Sequence, residues 1–378
     1  AGVIFLSVHA HSVPCGLVWT HSRTLDILSL GDEGATALGV STRRTRILFL
    51  AAGAALAALA TAVAGILRFW DCWSPDCTAY HRYAASPAAS ACSTDQLHTA
   101  GCCGYAGQKS VFTAGDSGRN SGLHDRHSLF YLSDDETRQE VAQMLEVHNL
   151  YAGYDGYNIL QDVSLQIPEG KITMMIGPNG CGKSTLLKTM AGIITPQKGE
   201  VLLNGVSLKG MKRRQVAKRL ALLPQSPLVP EGLRVRELVQ YGRFPYQKAM
   251  RSLNRQDLEI VAWAMKKTGV LVHADAYVNE LSGGQRQRVW IAMALAQKTG
   301  ILLLDEPTTY LDIAHQLEIL ELLRDLNREE QTTIILVIHD LNQAAKFADH
   351  VIGMKQGRAL YCGKARGGYP GTAAAAAV

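Results

Sequence analysis

No Cys-x-x-Cys pair occurs in the sequence, and neither His81 nor His98, the histidines nearest its cysteine-rich stretch, completes a zinc-binding spacing. The eight cysteines therefore argue for unpaired thiols rather than a metal site. Five of them crowd between Cys72 and Cys103, whereas 144–363 holds only Cys181 and Cys362. No run of Lys and Arg is long enough to track a nucleic-acid backbone. The formal net charge of +5 is dispersed, so nucleic acid is not an expected partner. Residues 1–20 lack the basic start and small-residue cleavage site of a secretory signal, and the chain opens on Ala1 rather than Met, like the beginning of a fragment. Between 68 and 140 there is no second apolar run, which leaves any single membrane span ahead of it without a return helix.

What the sequence does contain is room for two domains with real cores, with 378 residues of which 47% are hydrophobic. Residues 47–67, ILFLAAGAALAALATAVAGIL, carry no charge and match the roughly twenty apolar residues that a spanning helix needs. Their many alanines make the stretch weakly hydrophobic, so it would need neighbouring helices to pack against. Residues 68–126 are rich in Cys, Ser, His and Gly without helical or strand periodicity, and 68–143 is expected to be irregular.

The strongest local pattern is GPNGCGKST at 177–185, which satisfies G-x-x-x-x-G-K-[ST] between an expected strand, 171–176, and an expected helix, 184–191. Gly177, Gly180 and Gly182 allow a tight turn whose N–H groups surround phosphate oxygens at a helix start, so that Pro178, Asn179, Cys181 and Thr185 belong to the nucleotide site with them. Lys183 would reach the β and γ phosphates of ATP, and the Ser184 hydroxyl would hold Mg²⁺. Alternating apolar residues at 145–150, 163–167 and 200–208 predict a small antiparallel β layer, and between its first two strands lies an aromatic cluster, Tyr151, Tyr154 and Tyr157, in which Tyr154 is placed to stack on adenine. The apolar run 301–304 predicts a buried parallel strand ending in Asp305 and Glu306, where Asp305 would hold Mg²⁺ and Glu306 would act on the attacking water. A second strand, 332–338, ends in His339, which can sense a γ-phosphate oxygen.

The stretch LSGGQRQR at 281–288 matches the signature of ATP-binding cassette proteins, and with Gln225 in LLPQ, Asp305-Glu306, Asp312 in TTYLD and His339 it gives that family's motifs in order. The resemblance covers about 144–363. It implies an α/β fold: a RecA-like phosphate-loop core with a small antiparallel β layer and an inserted α-helical subdomain at about 229–298. It further implies two cassettes facing head to tail, so that Ser282, Gly283, Gly284 and Gln285 of one subunit close on the nucleotide held by the other. Gln225 is implied as a Mg²⁺ or water contact, and Asp312 as part of the nucleotide site. The segments PEGLRVRELVQYGRFPY, DEPTTYLDIAHQ and HDLNQAAKFADH resemble the ATPase subunits of ferric-siderophore and vitamin B12 importers. LGDEGATALGVSTRRTR at 30–46 resembles the cytoplasmic coupling segment of the permeases of such importers, with Arg43, Arg44 and Arg46 favouring the inside.

The resemblance thus implies an ATP-hydrolysing importer subunit for an iron chelate, working as a homodimer with two permease subunits and a substrate-binding protein at the cytoplasmic face of the inner membrane. Vitamin B12 or haem import, a soluble cassette ATPase outside transport, and a non-functional fusion are the alternatives. On this reading 1–67 is a permease-like fragment with a partial transmembrane helix, and 68–143 is a stretch joined out of frame. The upstream 143 residues are expected to be dispensable for hydrolysis, and 364–378 is an atypical tail.

Overall fold

Four strands buried at every position form the centre of the molecule: β3 (Ile172–Ile176), β6 (Leu220–Leu223), β7 (Ile301–Leu304) and β8 (Thr333–Val337). Continuous apolar runs of this kind suit parallel strands covered on both faces. The computed structural model describes residues 22–73, 145–154, 156–247 and 252–365, with side chains at 59 and 62–73 excepted. In it these strands lie parallel within a six-stranded sheet of order β10-β9-β3-β8-β7-β6, where β9 is His350–Lys355 and β10 is Arg358–Lys364. Side chains alternate between two cores, as the period of a strand requires. Ile172, Met174, Leu302, Leu304, Ile334 and Leu336 enter one cluster, while Met175, Ile301, Leu303, Ile335 and Val337 enter the other.

The second sheet is antiparallel, of order β2-β1-β4-β5, from β1 (Leu145–Tyr154), β2 (Tyr157–Ile167), β4 (Lys198–Leu203) and β5 (Val206–Ser207). It is the β layer expected at 145–150, 163–167 and 200–208, with both strands of the first hairpin extended toward their turn and the third stretch divided into β4 and β5. The helical insertion contains α6 (Val235–Tyr241), α7 (Arg255–Lys267) and α8 (Gly283–Ala296). Its anchor is the buried ion pair of Arg243 and Asp257 at 2.8 Å, with Arg243 also donating to the Ala296 carbonyl at 2.9 Å.

Upstream of the cassette lie α1 (Ser22–Leu28), α2 (Gly31–Ala37) and α3 (Thr42–Trp73). Residues 22–56 belong to the same compact unit as the described residues from 145 onward, whereas 57–73 fall in a separate unit. Ile27, Leu30, Ala35, Leu38 and Val40 are buried in one cluster with Val235, Leu238 and Val239. Part of the segment read as a permease-like fragment is thus packed on the cassette, and its apolar positions at 27–40 have partners there.

Among the described residues no helix is long and apolar enough to cross a membrane, and part of the span expected at 47–67 lies outside them. The chain is helical across that stretch, but the side chains at 59 and 62–67 lie outside the described residues, and those that precede them are alanine-rich. Most of the irregular stretch expected at 68–143, and the tail from 366, also lie outside.

Candidate functional site

The carboxyl ends of β3, β6, β7 and β8 lie side by side, and the loop that leaves each one carries a site residue, which is where chemistry collects in an open α/β sheet. The loop after β3 runs directly into α4 (Lys183–Met190), one residue earlier than the expected helix start. Gly182 caps that helix in a left-handed conformation, φ 103°, open to glycine at little cost. Gly177 has φ 148°, and a Cβ there would lie 2.2 Å from the Met354 carbonyl oxygen, so no larger residue fits between the loop and β9. The loop is further tied down where the Gly357 amide donates to the Cys181 carbonyl at 3.0 Å.

A cavity of about 370 Å³ opens over this loop, lined by Asn179, Gly180, Gly182, Lys183, Ser184 and Thr185 from the loop side and by Gln225, Glu306 and His339 from the neighbouring strand ends. Pro178 and Cys181 do not line the cavity; the Cys181 amide donates to the Pro178 carbonyl at 3.3 Å within the loop. The Lys183 ammonium donates to the carbonyls of Gly177 at 2.7 Å and Pro178 at 3.0 Å, with the Cys181 sulfur 4.0 Å away. The loop carbonyls thus hold a buried cation at the cavity wall, facing the space a polyphosphate would fill.

Opposite it, Glu306 is held from both sides. Its Oε2 accepts from Gln225 Nε2 at 2.6 Å and from Thr309 Oγ1 at 3.0 Å, and its Oε1 lies 2.7 Å from His339 Nε2. The residue has φ 51°, a left-handed backbone that a non-glycine residue adopts at a cost, and it turns the carboxylate from the strand end into the cavity. Asp305, one residue earlier, is 1% exposed; Oδ1 accepts from the Ser184 hydroxyl at 2.8 Å, and Oδ2 is buried with no hydrogen-bond partner. Burial pushes the Asp305 carboxyl above the usual carboxylate range, partly offset by the Ser184 hydrogen bond and the Lys188 charge.

Sequence reasoning missed two residues here. Thr309, which steadies Glu306, follows the acid pair by three positions in a loop that was read only for Asp312. Ile159 lines the cavity from β2, and nothing distinguishes it in the sequence from any other apolar strand residue.

Other expected site residues stand elsewhere. Tyr154 is 45% exposed at the end of β1, paired across the hairpin with Tyr157, and is not part of the cavity wall. Ser282 caps α8: its hydroxyl accepts from the Gln285 amide at 3.3 Å and the Gln285 side chain accepts from the Ser282 amide at 3.1 Å. Gly283 and Gly284 open the same helix, where a Cβ on Gly284 would meet the His315 ring at 3.2 Å. Asp312 caps α9 (Ile313–Glu330), accepting from the His315 amide at 2.8 Å. None of these six lines the phosphate cavity of its own chain.

The family model described as ABC transporter matches residues 160–309, and the one described as FecCD transport family matches residues 3–81. The iron(3+)-hydroxamate import ATP-binding protein of Bacillus subtilis is 54% identical over 221 residues, 58% of this chain and 82% of that protein. The ferric enterobactin transport ATP-binding protein of Escherichia coli is 47% identical over 219 residues, 58% of this chain and 81% of that protein. Among solved structures, a bacterial ABC transporter cassette in dimeric form superposes with a TM-score of 0.53 at 29% identity, covering 60% of this chain and all of that one. With its phosphate loop, its acid pair and its signature helix in place, the chain belongs to the family of ABC transporter ATPases.

Proposed function

We propose that this ATPase energises import of a ferric siderophore, as a dimer of cassettes working with two permease subunits and a substrate-binding protein at the cytoplasmic face of the inner membrane. The reading of the chemistry rests on one observation: Glu306, held by Gln225, Thr309 and His339, faces the Lys183 phosphate loop across one cavity.

In that arrangement the loop amides and Lys183 bind the β and γ phosphates and orient the γ-phosphorus. Glu306 orients the attacking water and takes its proton, and His339 both steadies Glu306 and hydrogen-bonds a γ-phosphate oxygen. Tyr154 stacks on the adenine ring, exposed at the edge of the β layer. Ser282 and Gly283, exposed at the start of α8, with Gly284 and Gln285 behind them, close on the nucleotide of a second cassette, with Asp312 at the same interface.

Among the described residues there is no cluster of three His, Cys, Asp or Glu that would cage a cation. Mg²⁺ on a nucleotide needs only one or two protein carboxylates besides phosphates and waters, and the partnerless, buried Oδ2 of Asp305 beside the Ser184 hydroxyl fits that demand. Ser184, Asp305 and Gln225 would hold it, and it would neutralise negative charge on the phosphates.

The siderophore reading is supported by the relatives named for ferric hydroxamate and ferric enterobactin import. A cobalamin import ATP-binding protein of Halobacterium salinarum is 41% identical over 222 residues, which makes vitamin B12 the second substrate to test. The test is uptake of radiolabelled ferric hydroxamate, ferric enterobactin and cobalamin in bacteria lacking the corresponding import ATPase, with Glu306→Gln as the inactive control. Uptake of an iron chelate above that control supports the reading. Uptake of cobalamin alone, or ATP hydrolysis with no uptake of any of the three, overturns it.

A further inference from the structure

The stretch matched to the FecCD transport family enters the cassette's own surface. Leu30 and Leu38 are 2% and 0% exposed, in one core cluster with Val235 and Leu238 of α6. Gly39, with φ 87°, comes so near α5 (Arg213–Ala217) that a Cβ would lie 2.9 Å from the Arg214 Cα. Polar groups fix the same register. Glu33 pairs with Lys188 of α4 at 2.5 Å, and Arg23 donates to the Gln247 side chain at 3.0 Å. Beside them Tyr241 is pushed up to about 12, first by burial and then by the nearby Asp26 and Glu237 charges. The contact has an apolar centre and a paired, charged edge, the anatomy of a specific interface.

We infer that residues 22–40 act as a resident plug: they fill in cis the surface of this cassette that the same segment of a separate FecCD-type permease would use, so such a permease docks only by displacing them. The inference rests on the proposed pairing with a permease for its consequence, but the occupancy itself is a property of this chain. Two copies of one segment cannot fill one groove. Displacement must expose Ile27, Leu30, Leu38 and Val40 to water and separate Glu33 from Lys188, which favours the resident copy because it is tethered and a second copy is not.

Two measurements on the full chain test it. Carbodiimide treatment joins a carboxylate to an amine only where they already touch, so peptide mapping should find Glu33 coupled to Lys188 in the monomer band of a denaturing gel. Absence of that product, or its appearance only in a dimer band, would show that the segment is free or comes from a second copy, and overturns the inference.

A fluorescent peptide of residues 22–46 should bind the Leu30→Asp/Leu38→Asp chain at least tenfold more tightly than the unaltered chain. Equal affinity for the two, or no binding to either, also overturns it. Thermal unfolding and ATP hydrolysis confirm that the altered chain is folded. Should it aggregate, Glu33→Lys, which leaves the apolar contacts in place, is expected to move peptide affinity in the same direction. Neither measurement depends on uptake, so a wrong transport substrate would leave both results readable.

Discussion

Replacing Glu306 by Gln separates the chemistry of the site from its architecture. The carboxylate receives Gln225 and Thr309 on Oε2 and faces His339 at Oε1. A carboxamide keeps the stem, and with it the left-handed φ of 51°, but turns one acceptor into a donor. Placing the new NH₂ on the Oε2 side would set it against two donors. Placing it at Oε1 sets it against one, which His339 can meet by presenting an unprotonated Nε2. The second arrangement loses at most one hydrogen bond, about 0.5–1.5 kcal/mol, and should leave the fold intact.

A loss of that size in the transition state would slow turnover by roughly tenfold or less, since each 1.36 kcal/mol is about one decade. Removing a general base slows it by roughly 10²- to 10⁴-fold. The two accounts are therefore distinguishable. The assay is phosphate release at saturating ATP and Mg²⁺, with ATP affinity measured separately and gel filtration run with ATP. We expect a kcat at least a hundredfold lower, unchanged ATP binding and an ATP-loaded dimer. A kcat within tenfold of the unaltered protein would refute the assignment of Glu306 as the base, and a strictly monomeric elution would refute the facing-dimer arrangement.

Lys183→Ala should weaken ATP binding and abolish turnover, because it removes the buried cation at the loop; equilibrium nucleotide binding and phosphate release check it. Asp305→Asn should stabilise the nucleotide-free protein at neutral pH while weakening Mg²⁺-dependent binding. The carboxyl of Asp305 is raised in the folded chain, so the folded state holds a proton that the unfolded state has lost, and stability falls as pH rises from the ordinary carboxylate value through the raised one. Unfolding midpoints across that range should fall with pH in the unaltered protein and flatten in the variant.

A chain starting at Met144 should keep its hydrolysis, since every proposed contact with ATP lies between Tyr154 and His339. It should nevertheless unfold at a lower temperature, because the burial of Leu30 and Leu38 alone contributes about 1.5–3 kcal/mol each; a midpoint equal to that of the full chain would show that the upstream contacts add nothing.

The phosphate loop, the acid pair and the signature helix were legible because each is a local pattern whose chemistry is carried by neighbours in sequence. The strand 301–304 is a case in point: four consecutive apolar residues ending in two acids have few other uses, and the observed strand has those bounds. What escaped was whatever depends on distant partners. The helices α1 and α2 are seven residues each, too short for a periodic face to declare itself, and their partners follow after more than a hundred residues; Glu33 and Lys188 are separated by 155 positions. The role of Thr309 was hidden for a different reason: its partner is only three positions away, but their contact depends on the left-handed turn that Glu306 makes.

Helix α4 has a use that neither of its ends reveals alone. It is eight residues long, roughly 12 Å at 1.5 Å per residue, and too short to bend appreciably. Its first turn carries Lys183 and Ser184, and its last carries Lys188, paired with Glu33. It is a rigid strut with a phosphate cradle at one end and the docked segment at the other. The cradle and the docked segment thus hold the same eight-residue helix. Thermodynamic reciprocity then applies: by whatever factor nucleotide changes the hold on the segment, the segment changes the hold on nucleotide.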